Sequence, residues 1–284
     1  MALVNVAITG ASGLIGTRLQ QRLLEAGHTV YAISRGGLVP VCDAVVHLAG
    51  EPIAQRWTEA AKKRIYDSRV EGTRRLVNAL KAQSDRPGVL VCASAVGIYG
   101  SRGEEILTEK SLPGNGFLPQ TVVEWENAAG TAEELGIRAI SLRFGVVLGH
   151  GGALAKLLTP FRLGVGGRLA SGQQWMSWIH IDDAVNLILF AIESAAGIAL
   201  YGSVNATAPH PVTNDEFTRR LASALHRPAI FPIPAFALKL VFGEMSEVLL
   251  DSQRVLPTAA QAAGYRFQYP ELAPALSSIL AAQT

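Results

Sequence analysis

The feature that most limits what this chain can fold into lies near its N-terminus. A short apolar run, "LVNVAIT" (3–9), leads straight into "TGASGLIG" (9–16). The run is β-branched and continuous, as expected of a strand buried on both faces. Beyond it, Leu14, Ile15, Leu19, Leu23 and Leu24 recur at helical spacing until Gly27 ends the pattern. Gly10, Gly13 and Gly16 occupy the junction. A strand that turns on glycine into a helix lets the backbone approach a ligand closely. It also aims the helix N-terminus at that ligand, which suits a pyrophosphate. Ser12, Leu14 and Ile15 belong to the same candidate cradle. The spacing is G-x-x-G-x-x-G rather than G-x-G-x-x-G, so an ordinary tight strand–helix turn is the alternative.

The rest of the first half repeats the alternation. "HTVYAIS", "DAVVHLAG", "GVLVCASA" and "IRAISLRFGVVLG" read as strands. A long helix is expected over "TEAAKKRIYDSRVEGTRRLVNALKAQ" and another over "TVVEWENAAGTAEELG". This order predicts an α/β fold, a Rossmann-type doubly wound parallel sheet. After Gly149 glycines cluster, and three helical patterns follow at "NDEFTRRLASALH", "AFALKLVFGEMSEVLL" and "ELAPALSSILAAQ". We expect a cofactor domain over 1–149. Residues 150–284 should form a small mixed α/β lobe for substrate, with some segments (176–207) returning to the first domain.

The end of the second strand bears on the cofactor. An Asp or Glu there grips a ribose 2′-hydroxyl. This chain has Ser34 and Arg35 instead. A hydroxyl and a guanidinium suit a 2′-phosphate, so NADP(H) is favoured over NAD(H); a solvated loop arginine is the bland reading. The net charge of +2 argues against nucleic-acid or membrane partners. Cys42 and Cys92 lie in apolar contexts, as expected of buried thiols in a reducing compartment. The expectation is a soluble cytoplasmic protein, monomer or homodimer, with a small-molecule substrate and no metal.

"TGASGLIG", "DAVVHLAGEPI", "SAVGIYG", "LRFGVVLG", "PFRLGVGG" and "WIHIDDAV" together resemble the extended short-chain dehydrogenase/reductases, the NAD(P)-dependent epimerase/dehydratase family. More narrowly they resemble a branch labelled sugar-nucleotide epimerases, which ends in a small domain of unknown function; "RVLPTAAQAAGYRFQYPELAPAL" looks like that ending. The resemblance implies NADP(H) along the glycine turn and Ser34–Arg35, with Leu48, Ala49 and Gly50 crossing its ribose and diphosphate. It implies Arg69 reaching toward the cofactor and Val147 lining the nicotinamide end. From the residues alone, Arg69 is equally a surface charge paired with Asp67 or Glu71.

Two departures stand out. Only "GGLVPVC" separates Arg35 from Asp43, so the sheet should lack or shorten one strand and leave the adenine edge open. In addition, no tyrosine in the chain is followed four residues later by lysine. That pair supplies the proton in relatives, the lysine lowering the tyrosine pKa. Here Leu118 and Val122 stand in the helix where it belongs. Ser94 and Tyr99 are the candidate catalytic residues, with Tyr99 otherwise a rim aromatic. His180 is a possible base or scaffold, with Asp182 or Asp183 capping the next helix. Glu126 is a further catalytic candidate, although Trp125–Glu126 on a helix more often means packing plus a structural hydrogen bond. Arg162, Arg168, Gln173, Gln174, Trp175 and Trp178 are either a pocket for an anionic substrate or lobe-interface residues. The leading expectation is an NADP(H)-dependent oxidoreductase or epimerase acting on a small, possibly nucleotide-linked substrate; the alternative is a non-catalytic NADP(H) sensor or scaffold.

Overall fold

The computed structural model describes residues 3–34, 36–193 and 200–281. In chain order the first half contains β1 (Asn5–Thr9), α1 (Leu14–Glu25), β2 (Thr29–Ile33), β3 (Ala44–His47), α2 (Glu59–Lys81), β4 (Val89–Ala95), β5 (Ile106–Leu107), α3 (Phe117–Gly130), β6 (Arg138–Phe144) and β7 (Val146–Leu148). The second half adds α4 (Gly152–Arg162), β8 (Trp175–Met176), β9 (Trp178–His180), α5 (Ile181–Glu193), β10 (Gly202–Ala206), β11 (Val212–Thr213), α6 (Asn214–Ala224), α7 (Ala235–Phe242), α8 (Glu247–Leu250), β12 (Arg254–Val255), α9 (Thr258–Ala262) and α10 (Leu272–Ala281).

Six strands form one sheet in the order β10-β6-β4-β3-β1-β2, and every pairing is parallel. The unbroken apolar runs follow from burial on both faces. Val6, Ile8, Val46 and Val91 meet Leu19, Leu23, Leu187 and Ile188 of α1 and α5 on one side. Ala7, Val45 and Leu90 meet Leu76, Val77 and Leu80 of α2 on the other. The chain leaves β1 for β2 on one side and returns to β3 on the other, so the C-terminal ends of β1 and β3 part. That switch point is where α/β sheets bind ligands. Beyond β2 no further strand is added among the described residues, as the short "GGLVPVC" connection requires.

A second apolar cluster gathers Leu154, Leu158 and Phe161 of α4, Phe217 and Leu221 of α6, and Leu272, Leu276 and Ile279 of α10. One element is added to those read from the sequence, and two expectations change. The glycine-rich stretch after Gly149 contains α4, which carries Pro160 near its end. The single helix expected over 235–250 breaks at Gly243, whose φ is +61°, into α7, a 3-10 turn and α8. Asp183 does not cap α5. Its carboxylate accepts the Gln268 and Tyr269 amides at 2.7 and 2.8 Å, fastening the C-terminal segment to the sheet layers. Glu109 makes a matching fastening at the sheet edge, where it accepts from the Asn205 and Ala259 amides and from the Thr258 hydroxyl.

Candidate cofactor and substrate site

The glycine turn sits at the switch point. Gly10 has φ +70°, and a Cβ there would lie 2.7 Å from the Ala49 nitrogen and the Leu48 carbonyl carbon. A Cβ at Gly16 would lie 2.4 Å from the Gly10 oxygen. Both positions therefore require glycine for close backbone approach. Ser12 and Gly13 are exposed on the outer side of the turn, and Leu14 and Ile15 are half-buried. No side chain caps the N-terminus of α1, and its first turn holds no acid. The helix thus presents donors and a positive dipole to the crevice with nothing built in to satisfy them, which fits an anionic diphosphate.

Across the crevice Leu48 and Ala49 are half-buried and Gly50 is exposed. The Arg69 guanidinium lies against Gly50, 3.4 Å from where a Cβ would stand. It does not pair along its own helix: Asp67 takes Lys63 and Glu71 takes Arg74. Arg69 instead donates to the Glu51 carbonyl at 3.0 Å and stacks 5.3 Å from the Trp125 ring. Burial lowers its pKa to about 10, so it remains a cation at neutral pH. Ser34 is exposed at the end of β2, in a turn closed by the Gly37 amide at 2.9 Å. Arg35 lies outside the described residues. Val147, half-buried in β7, pairs with Ile179 of β9.

The catalytic expectations meet in one buried network. The Ser94 hydroxyl, at the end of β4, donates to Glu126 Oε1 at 2.5 Å. Arg143 of β6 grips both Glu126 oxygens through Nε and Nη2 at 2.8 and 2.7 Å. Ser203 donates to Glu126 Oε2 at 2.8 Å. Arg143 Nη1 donates to the Tyr99 hydroxyl at 2.9 Å, and that hydroxyl donates to Asn205 Oδ1 at 2.7 Å. Burial alone would lower the Arg143 pKa, but the Glu126 carboxylate overrides it and the guanidinium stays charged. Tyr99 is neither a rim aromatic nor placed as a substrate acid. It is 0% exposed, and burial raises its pKa despite Arg143. Ser94 is 4% exposed with its proton committed to Glu126. Arg143, Ser203 and Asn205 escaped the sequence reading because their partners are 17 to 106 residues away.

Of the two α3 positions singled out in the sequence, Leu118 packs, with Phe117, Ile53 and Phe242, against the cluster of Trp57, Ile65 and Met245, and Val122 is buried among Val96, Ile98, Tyr99, Leu107 and Val255. His180 is scaffold: its Nδ1 accepts the Asp182 amide at 3.1 Å, its ring stacks 3.9 Å from Tyr269, and burial lowers its pKa to about 4. Asp182 pairs with Arg18 at 2.7 Å. The segment expected to offer a pocket for an anion divides. Trp178 is core, Gln174 is buried and bonds the Leu169 and Leu249 carbonyls, and Gln173 is exposed. Arg162 is exposed, Arg168 pairs with Asp215 at 3.7 Å, and Trp175 stacks under Arg254 at 4.2 Å. Cys42 and Cys92 are buried thiols whose pKa values burial pushes up to about 11 and about 12. Among the described residues no cluster of His, Cys, Asp and Glu is placed to hold a metal, and no helix is long and apolar enough to cross a membrane.

The NAD dependent epimerase/dehydratase family matches residues 6–40 and 38–206. The chain belongs to that family. Residues 233–279 match a domain of unknown function, DUF1731. Epimerase family protein YfhF of Bacillus subtilis is 38% identical, covering 98% of this chain and 98% of that protein. The chloroplastic SDR39U1 homolog of Arabidopsis thaliana is 39% identical, covering 98% and 87%. Human epimerase family protein SDR39U1, solved with NADPH, superposes with a TM-score of 0.90 at 36% identity, covering 97% of this chain and 98% of that one.

Proposed function

We propose that this chain binds NADP(H) and acts as an oxidoreductase or epimerase on a small, nucleotide-linked substrate without a Tyr/Lys pair. The observation that carries the reading is the uncapped α1 N-terminus over the Gly10–Gly16 turn, facing Gly50 and Arg69 across the switch point. Gly10, Ser12, Gly13, Leu14, Ile15 and Gly16 would hold the diphosphate, and Ser34 and Arg35 the 2′-phosphate. Leu48–Gly50 and Arg69 would flank the ribose, with Val147 at the nicotinamide end. The relative solved with NADPH supports this assignment. When bound, the nicotinamide supplies or accepts hydride. The chain's own part is to orient substrate and cofactor. Ser94 offers its lone pairs at the end of β4 while Glu126 and Arg143 fix its rotamer; Tyr99 positions Arg143. Residues 1–149 would form the cofactor domain and 150–284 the substrate lobe, in a cytoplasmic protein.

A second reading, an NADP(H)-binding sensor, is favoured by one observation. Leu118, read as standing where the pair would be, is packed against the apolar cluster of Trp57, Ile65 and Met245. The two readings separate when NADPH absorbance and sugar products are followed with a panel of carbonyl compounds and nucleotide sugars. Turnover of any panel member supports the enzyme; tight NADPH binding with no product from any member supports the sensor.

A further inference from the structure

The C-terminal half carries an apolar surface that the cofactor site does not use. α7, "AFALKLVF", is apolar except for Lys239, yet only Leu238 among its residues is buried. Phe236 and Leu240, one turn apart, are 74% and 77% exposed. Just before the helix, Ile230 and Phe231 are 71% and 63% exposed. The segment after α4 lies alongside: Ile233 and residues 168–170 exchange backbone hydrogen bonds at 2.8 Å, and a Cβ at Gly164 would meet the Pro228 ring at 3.9 Å. That segment adds Leu163 and Val165, 72% and 56% exposed. At roughly 100 Å² each, the six side chains present on the order of 600 Å², the upper end of what monomeric proteins leave bare without an interaction.

The two stretches that build it are basic, while the exposed Glu244 and Glu247 follow α7 directly, Glu244 paired with Lys62. These stretches, 152–168 and 226–242, contain Lys156, Arg162, Arg168, Arg227 and Lys239 and no Asp or Glu. Of these, Arg168 reaches Asp215 at 3.7 Å. The whole-chain charge of +2 conceals this sorting. Exposed Phe and Leu beside basic side chains are the pattern of segments that lie in a bilayer interface, where apolar groups enter the headgroup boundary and cations meet anionic lipid. A second copy docked on the same face would bring these cations against one another.

We propose that this face, centred on α7, docks reversibly on an anionic lipid bilayer. The test is co-sedimentation of the full chain with vesicles of equal parts phosphatidylglycerol and phosphatidylcholine, against pure phosphatidylcholine. The expected result is binding to the anionic vesicles at least tenfold stronger than to the neutral ones, weakened severalfold by 0.5 M salt, a screening length of about 4 Å. Phe236→Ser with Leu240→Ser should lower binding at least tenfold with the thermal midpoint unchanged, since both side chains are exposed; Lys239→Glu should lower it severalfold. Failure to bind anionic vesicles, or binding that the folded double variant retains, overturns the proposal. So does a dimer in sedimentation velocity that the double variant dissolves while vesicles remain unbound.

Discussion

The crevice over Gly10–Gly16 and the network around Glu126 lie at the ends of neighbouring strands of one sheet, yet they are built in opposite ways. The crevice is made of backbone. Its glycines leave no side chain in the way, α1 has no cap, and Arg69 is held by carbonyls rather than by a carboxylate. The network is made of side chains, and the groups in it are paired: Glu126 receives four hydrogen bonds, from Ser94, Ser203 and twice from Arg143. A region that keeps donors in reserve is arranged for a ligand; one that satisfies its donors internally is arranged to hold a shape. The contrast supports the proposal that binding belongs to the glycine turn and positioning to Glu126. Leu118 of α3 is meanwhile packed into an apolar cluster with Trp57, Ile65 and Met245.

The contrast can be broken or sharpened by substitution. The largest effect is expected for Glu126→Ala, which strands the Arg143 cation, 9% exposed at its side chain. Breaking a buried pair costs about 3–5 kcal/mol, read in a urea melt. A loss below 1 kcal/mol would show that water reaches Arg143 and that the network is open. Next comes Gly16→Ala, whose Cβ would press on the Gly10 carbonyl. Overpacking of this kind costs about 1–3 kcal/mol and distorts the turn, so NADPH affinity should fall with stability.

Smaller effects test the finer assignments. Arg35→Ala should weaken NADPH by about 1.5–3 kcal/mol while leaving NADH nearly unchanged, the mark of a charge-assisted contact to the 2′-phosphate. Equal losses for both cofactors would remove that role. Tyr99→Phe should be mildest, about 1–2 kcal/mol of stability for the hydroxyl lost from between Arg143 and Asn205. Any turnover found should survive it within a few-fold; a thousandfold loss would restore Tyr99 as a proton donor.

The two regions also differ in how far the sequence discloses them. The crevice was legible because its signals are local. The apolar strand, three glycines at fixed spacing and the helix period all fall within residues 3–27. The truncated sheet edge was likewise readable from the seven residues between Arg35 and Asp43. The network was only half legible. Glu126 suggested a structural hydrogen bond, but its partners come from β4, β6 and β10, and no local pattern joins them. α4 was hidden by flanking glycines and Pro160, which argue against a helix until tertiary burial of Leu154, Leu158 and Phe161 outweighs them. The break at Gly243 was hidden for the opposite reason, because hydrophobic spacing continues across it. Asp183 read as a helix cap because caps are local, whereas its true partners lie 85 and 86 residues on.

The most direct test of the account is a titration of the full chain with NADPH and with NADH, followed by quenching of its tryptophan fluorescence and by calorimetry. The account predicts saturable binding of one nucleotide per chain, with NADPH at least tenfold tighter than NADH. Absence of saturable binding of either nucleotide would contradict it, since the uncapped turn and Arg69 would then be holding nothing.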